Sequence, residues 1–158
     1  MEGEQKLNTK FELTAETKVM FGVTLHRIKA LKDFGTVKAG ELGGWVEKEV
    51  NISVFGEAWV SGEARVSGEA QVSGEAQVSI TADYLTIGPI GSRSATLTVT
   101  FKKTLQITTG CFIGTLAQFE RATKKTHGDN KYGQEYKAVI EFVKKIAEIR
   151  AGKEDARE

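Results

Sequence analysis

The stretch from Val54 to Ser79 decides the fold, and it reads VFGEAW VSGEAR VSGEAQ VSGEAQ VS. A valine recurs every six residues up to Val78, and alanines from Ala58 to Ala76 follow the first four valines at a distance of four. A period of six fits neither the stripe of an α-helix nor the heptad of a coiled coil. It is typical of a β-helix, in which each hexad forms one short strand and one corner. We therefore expect the valines and alanines to point inward and the glutamates to face water.

The hexads resemble those of the left-handed β-helix, in which three hexads complete one coil. Seven hexads can be counted from Leu42 to Asp83, which corresponds to slightly more than two coils. We therefore predict a mainly β protein with C-terminal helices. Its predicted parts are an N-terminal β cap (1–41), a short left-handed β-helix (42–83), a small α+β module (84–150) and a flexible tail (151–158).

In the segment before the first clear hexads, the alternation of apolar residues predicts which side chains are buried. In the cap these positions are Val19, Phe21, Val23, Leu25 and Ile28, and Leu42 and Val46 then occupy the inward positions of the hexad register. Trp45 and Trp59 are expected to project from the small column, which would make them exposed aromatics suited to a subunit interface.

The α+β module is predicted to contain a hairpin followed by two helices. Strands over 95–101 and 104–109 are joined by Lys102-Lys103. Thr115 with Gln118 forms a capping-box sequence that begins a helix ending near His127-Gly128. A second amphipathic helix is expected from about Tyr132 to Arg150.

Composition limits the classes of function. The chain has 158 residues and a formal net charge of +1, which gives no bulk attraction to nucleic acid. A single cysteine, Cys111, excludes an internal disulfide, and two histidines with one cysteine disfavour a metal site. No apolar run approaches the ~18 residues of a membrane span, and the start lacks the pattern of a signal peptide. We expect a cytoplasmic protein without a cofactor.

Two groups of motifs carry a resemblance to a protein family. The segment from Thr24 to Gly35, with VKAG at 37–40 and GGWVE at 43–47, is similar to the start of left-handed β-helix proteins of phages and prophages. GPIGSR at 88–93, GCFIGT at 110–115 and THGDN at 126–130 resemble the C-terminal module attached to many of them. These relatives are commonly labelled transferases or polymer-forming proteins, labels that rest on fold analogy. The resemblance implies a phage-encoded protein in the cytoplasm of an infected bacterial cell.

The loop from Gly88 to Arg93 is the leading candidate for ligand binding. Its glycines permit close approach of the backbone, its amides can form an anion nest, and Arg93 offers a planar fork to phosphate or carboxylate. The alternative is a structural turn with Arg93 in solvent. His127 either contacts a ligand or caps a helix, and Cys111 is either a core residue or a thiol activated at a helix N-terminus.

Two coils alone bury little core and neighbouring columns commonly pack side by side, so we expect a homo-oligomer, with a trimer preferred. Family context and loop chemistry favour a function in which it sequesters an anionic, nucleotide-like molecule without turnover. Such a sponge against host defence needs affinity and abundance but no catalytic group. Tyr84 and Tyr132 are candidates to stack on a base. The predicted ligand-binding residues are Gly88, Gly91, Ser92, Arg93, Lys102, Lys103, Thr115, His127, Asn130, Lys131 and Tyr132.

Two other functions stay open at this stage. One is an acyltransferase, because hexapeptide-repeat enzymes share the hexads, although they use a histidine base that these hexads lack. The other is an inhibitor that binds a protein, or a structural phage component. Neither a membrane nor a direct nucleic-acid partner is expected.

Overall fold

A computed structural model describes residues 8–102, 105–110 and 112–156, with the side chains of 152–156 left undescribed. These ranges contain ten strands and two α-helices, besides two short 3-10 helices at Glu49–Asn51 and Thr81–Asp83. The strands are β1 (Phe11–Met20), β2 (Val23–Ala30), β3 (Leu42–Val46), β4 (Trp59–Val60), β5 (Arg65–Val66), β6 (Gln77–Val78), β7 (Tyr84–Ile90), β8 (Ala95–Thr100), β9 (Gln106–Thr109) and β10 (Phe112–Thr115). The helices are α1 (Leu116–His127) and α2 (Lys131–Ala156).

The strands form three separate sheets. The first has the order β1-β2-β3-β5 and is mixed, since β3 pairs antiparallel with β2 and parallel with β5. The second is antiparallel with the order β10-β9-β8-β7. The third is the parallel pair β4-β6. The fold is therefore mainly β with two C-terminal helices, as the coarse prediction had it.

The prediction of a left-handed β-helix of about two coils is wrong. The repeats do not form a solenoid within the described chain, because β3 and β5 belong to one sheet, β4 and β6 to another, and Ile52 and Val72 share only an isolated bridge. Two local causes are visible. Glycines with positive φ, such as Gly62 and Gly68, limit β4, β5 and β6 to two residues each. The other edge of β3 is taken by the N-terminal hairpin, so that sheet continues antiparallel.

The inward positions of the repeats are buried as predicted. The repeat residues with 5 % exposure or less are Ala58, Val60, Ala64, Val66, Ala70, Val72, Ala76 and Val78. They form one core together with Phe11, Ile28 and Trp59. Repeats three hexads apart are joined by backbone hydrogen bonds between parallel segments, such as Trp59 N to Ala76 O at 3.1 Å. The period therefore identified the buried residues correctly, although it did not identify the sheets.

Three residues predicted to be buried are exposed. Val19 and Phe21 lie at the turn of the β1–β2 hairpin, where Phe21 has a φ of 51° and is 98 % exposed. Leu42 is also exposed at the start of β3. By contrast, Leu25 and Ile28 are buried in β2, as predicted. The alternation was therefore correct only where β2 packs against the repeats.

Both tryptophans are buried, so the prediction that they are exposed interface residues is wrong. Trp59 lies beneath Phe34, whose ring meets it edge to face at 5.3 Å between centroids. Lys18 Nζ and the Arg27 guanidinium cover the ring of Trp45 at 4.3 and 4.5 Å. The N-terminal segment therefore shields both indole rings from water.

The second core joins the second sheet to the helices. Its buried members are Ile90, Leu97, Val99, Ile107, Phe119, Ile140 and Val143. The predicted hairpin is present as β8 and β9. The predicted capping box is confirmed, since Thr115 Oγ1 accepts from Gln118 N at 3.1 Å and Gln118 Oε1 accepts from Thr115 N at 2.9 Å. The second helix is longer than the predicted 132–150 and continues into the predicted tail.

Side-chain hydrogen bonds link the repeats to the second sheet. Gln106 Nε2 donates to Ser73 O at 2.8 Å, and Gln71 N donates to Thr98 Oγ1 at 3.0 Å. Neither helix in the described ranges has the length and apolar content needed to cross a bilayer.

Candidate anion-binding site

A cavity of about 320 Å³ lies between the second sheet and the two helices. We call it the Arg93 cavity, and its defining residues are Ser92, Arg93, Phe112, Phe119, His127 and Tyr136. The turn after β7 supplies the first two residues, β10 and α1 supply the next three, and α2 supplies Tyr136. Chain segments far apart in sequence therefore meet at one site.

The turn from Gly91 to Ser94 places Arg93 at the cavity. Ile90 anchors the end of β7 in the core, and Ser94 N donates to Gly91 O at 3.1 Å to close the turn. Gly91 has a φ of +80°, and a Cβ at this position would overlap the hydroxyl of Tyr136. Only glycine fits this contact, because a side chain would meet both the strained φ and the phenol.

Aromatic rings form one wall of the Arg93 cavity. Phe119 meets Phe112 and Tyr136 edge to face, with centroid distances of 5.4 and 5.6 Å. The His127 ring stacks on Tyr136 at 5.6 Å with an interplanar angle of 29°. Such a wall offers flat apolar surface to a planar group of a ligand.

The polar groups at the cavity favour an anion. Arg93 is exposed and makes no ion pair with any residue that the structure describes. Burial raises the pKa of the Tyr136 phenol, the Glu135 carboxylate adds to the rise, and the Arg93 guanidinium opposes it. Tyr136 is therefore protonated at neutral pH and able to donate a hydrogen bond. Thr109, Thr123 and Thr126 add hydroxyl groups to the lining.

One amide of the turn already holds an anion from the protein itself. Gly91 N donates to Glu135 Oε1 at 2.6 Å. The distance is that of a strong charge-assisted hydrogen bond. The nest of free amides predicted for this loop is thus reduced, since its Gly91 amide carries a carboxylate from α2.

The structure brings together Ser92, Arg93 and His127 of the predicted ligand set, with Gly91 beside them. Gly88 does not reach the cavity. It lies inside β7, where a Cβ would be 2.8 Å from Ala95 O, so its small size serves the close pairing of β7 with β8.

Lys102 lies at a different cavity, of about 280 Å³, with Phe34 and Glu57 among its lining residues. Its ammonium group donates to Ser79 Oγ. Lys103 lies outside the described residues, as does Cys111. Tyr84 also lies elsewhere, with its hydroxyl donating to Arg65 O at 3.1 Å.

The remaining predicted residues organise the helix termini. The Thr115 hydroxyl is used by the cap of α1. Asn130 Oδ1 accepts from the amides of Tyr132 and Gly133, each at 2.9 Å, and so caps the start of α2. Lys131 Nζ lies 5.2 Å from the centroid of the Tyr132 ring, and that ring lies 5.8 Å from His127. These residues adjoin the Arg93 cavity without lining it.

Sequence reasoning missed Tyr136, Phe112 and Phe119 as cavity residues. Both Tyr136 and Phe119 recur with apolar neighbours at helical spacing, a pattern that predicts an apolar face packed in a core. A tyrosine on such a face was the available signal, because a buried hydroxyl needs a polar partner. Glu135, one residue earlier in α2, gave no signal of its role.

No cluster of three or more potential metal-ligating side chains occurs among the described residues. His26 lies in β2 with its Nδ1 3.3 Å from Thr14 O, apart from the Arg93 cavity. No protein-family model matches the chain, and a search of curated proteins finds no relative.

Proposed function

We propose that this protein binds a small anionic ligand with a planar aromatic group, of the nucleotide class, in the Arg93 cavity. The observation that carries the proposal is the meeting of Arg93, which has no ion pair to a described residue, with the His127–Tyr136 stack at one cavity. A guanidinium recognises phosphate through paired hydrogen bonds, and an aromatic face accepts a base.

The cavity volume sets the size of the ligand. At about 320 Å³ it lies near the lower end of small-molecule sites, which span about 300–1,000 Å³. This favours a ligand of mononucleotide size, or one part of a larger molecule with the remainder in solvent.

Binding without turnover is the second part of the proposal. The described lining of the Arg93 cavity contains one histidine, His127, and no carboxylate that orients it. A general base normally needs such a partner to hold its ring and tautomer. The resemblance to phage proteins adds the biological context, in which the protein sequesters a nucleotide-derived signal of host defence.

Calorimetric titration with AMP, ADP and cyclic dinucleotides tests this function. We expect at least one of them to bind and to be recovered unchanged by chromatography. Arg93→Ala should weaken binding about 10- to 100-fold, the range of a lost hydrogen-bonded charge. Arg121→Ala removes an exposed arginine of α1 that does not line the cavity, and should bind as the wild type does. Equal affinity of the Arg93 and Arg121 variants would reject the assignment, and product formation would reject sequestration.

Self-association stays a prediction, with a trimer preferred. The buried tryptophans no longer support it, but Phe142 and Ile149 of α2 are about half exposed, at 48 % and 53 %. Exposed apolar residues seven positions apart lie on the same side of a helix and suit contact with another chain. Sedimentation equilibrium at micromolar concentration measures the state directly, and a monomer would contradict the prediction.

A further inference from the structure

The first turns of α2 deliver a carboxylate to the loop that presents Arg93. Glu135 Oε1 accepts the Gly91 amide at 2.6 Å, and the next residue of the helix, Tyr136, directs its hydroxyl at Gly91. The Glu135 carboxylate therefore already accepts from one hydrogen-bond donor, the Gly91 amide, at the edge of the Arg93 cavity.

The charged groups around this contact do not neutralise each other in an ion pair. Arg93 and Glu135 do not form an ion pair with each other, although both influence the pKa of Tyr136. Arg93 and Tyr136 line the Arg93 cavity and Gly91 lies against the Tyr136 hydroxyl, so the amide, the hydroxyl and the guanidinium together favour a negative group. Only one of these three donors is paired with the carboxylate.

We propose that the Glu135 carboxylate is an internal anion that a ligand's terminal phosphate displaces from the Gly91 amide. This inference rests on the proposed nucleotide-binding function and names the group that enters the site. A terminal phosphate has three free oxygens and close to two negative charges, so it can accept from all three donors at once. A carboxylate has two oxygens, which gives the phosphate an advantage over a competing acid.

The displacement makes Glu135 a specificity residue. Ligands with a terminal phosphate exceed the internal carboxylate in charge and in acceptors, whereas nucleosides cannot replace it. Because the Glu135 carboxylate and a bound anion repel each other, Glu135 also lowers the affinity for every anion that binds. Removing its charge should therefore tighten binding of AMP and leave adenosine unaffected.

The variants Glu135→Gln and Glu135→Ala test this inference, with Glu141→Gln as the matched control. Glu141 is an exposed residue of the same helix, and its replacement changes the net charge equally without touching the Gly91 turn. In the ligand-free protein, the NMR resonance of the Gly91 amide should move in both Glu135 variants and stay in place in the control. With AMP as the probe, Glu135→Ala should bind about fivefold more tightly or better, the effect of one nearby like charge in water.

The outcomes separate this inference from the proposed function. Where AMP binds to the wild type, equal or weaker AMP binding by Glu135→Ala overturns the internal-anion inference, and so does an unmoved Gly91 resonance in the ligand-free variants. If AMP binds to none of the proteins but inorganic phosphate moves the Gly91 amide resonance of the wild type towards its position in Glu135→Ala, the inference holds and the nucleotide function fails. If neither probe acts on any variant, both are overturned.

Discussion

Replacing Lys10 with methionine should remove a contribution to stability that rises between pH 8 and pH 10.5 in the wild-type protein. Lys10 is 1 % exposed, and its Nζ donates to Ser53 O at 2.9 Å and to Ala58 O at 2.8 Å. Burial is the main cause that lowers its pKa from 10.5 to about 8, with the nearby Lys32 ammonium adding to it and Glu57 opposing it.

The sign follows from proton binding in the two states. Between pH 8 and 10.5 the unfolded chain keeps the Lys10 proton while the folded protein releases it, so the free energy of unfolding rises with pH. Below pH 8 both states are protonated and this contribution is constant. A shift of this size corresponds to about 3 kcal/mol across the window.

Urea unfolding at half-unit pH steps measures the effect. Other ionisable groups, including Tyr84, whose pKa is raised by burial, are common to both proteins, so their contributions cancel in the difference. Lys38→Met removes an exposed lysine and serves as the control for net charge. A wild-type minus Lys10→Met difference that stays flat from pH 8 to 10.5 would refute the assignment of a buried, easily deprotonated ammonium.

Four further substitutions test the fold. Gly68→Ala should lower the free energy of unfolding by about 1–2 kcal/mol through backbone strain alone, since the φ of Gly68 is +66° and an added Cβ would meet open space. Gly56→Ala should lower it by about 1–3 kcal/mol more, because an added Cβ would also lie 2.8 Å from Gly74 O. Equal losses in thermal unfolding would mean that these repeats do not approach each other. Thr115→Ala should lower stability by about 1 kcal/mol in urea unfolding through loss of the α1 cap, and no change would show that this cap is unimportant. Asn51→Ala should lower the free energy of unfolding by about 3 kcal/mol or more, as measured by calorimetry. The buried side-chain amide of Asn51 accepts from Lys48 N and donates to Gly68 O and Ala70 O, and the substitution removes all three hydrogen bonds. A loss under 1 kcal/mol would contradict that network.

Local pattern in the sequence predicted local structure well. The hexad period identified the buried valines and alanines, and the Thr115 box identified the start of α1. Both signals lie within a few residues of the feature they specify. The arrangement of sheets was not predictable in this way, because the pairing of β3 with the distant β2 decides it.

Long-range contacts also explain the errors at single residues. Trp59 stands where later repeats have Arg65, Gln71 and Gln77, so its position in the period suggested a solvent-facing side chain. It is buried only because Phe11 and Phe34 cover it from another part of the chain.

In the candidate site, too, local sequence signals were predictive and long-range contacts were not. The glycine loop and Arg93 were evident as chemistry suited to anions. The contributions of Tyr136 and Glu135 were not, because they depend on how α2 packs against the turn after β7.

The location of the two tryptophans gives the chain a built-in optical reporter. Trp45 and Trp59 are its only tryptophans, and both lie beneath residues from the first forty of the sequence. A red shift of indole fluorescence should therefore signal that the N-terminal hairpin has lifted from the repeats. Events at the Arg93 cavity should leave that emission unchanged, so the two halves of the protein can be followed separately in one sample.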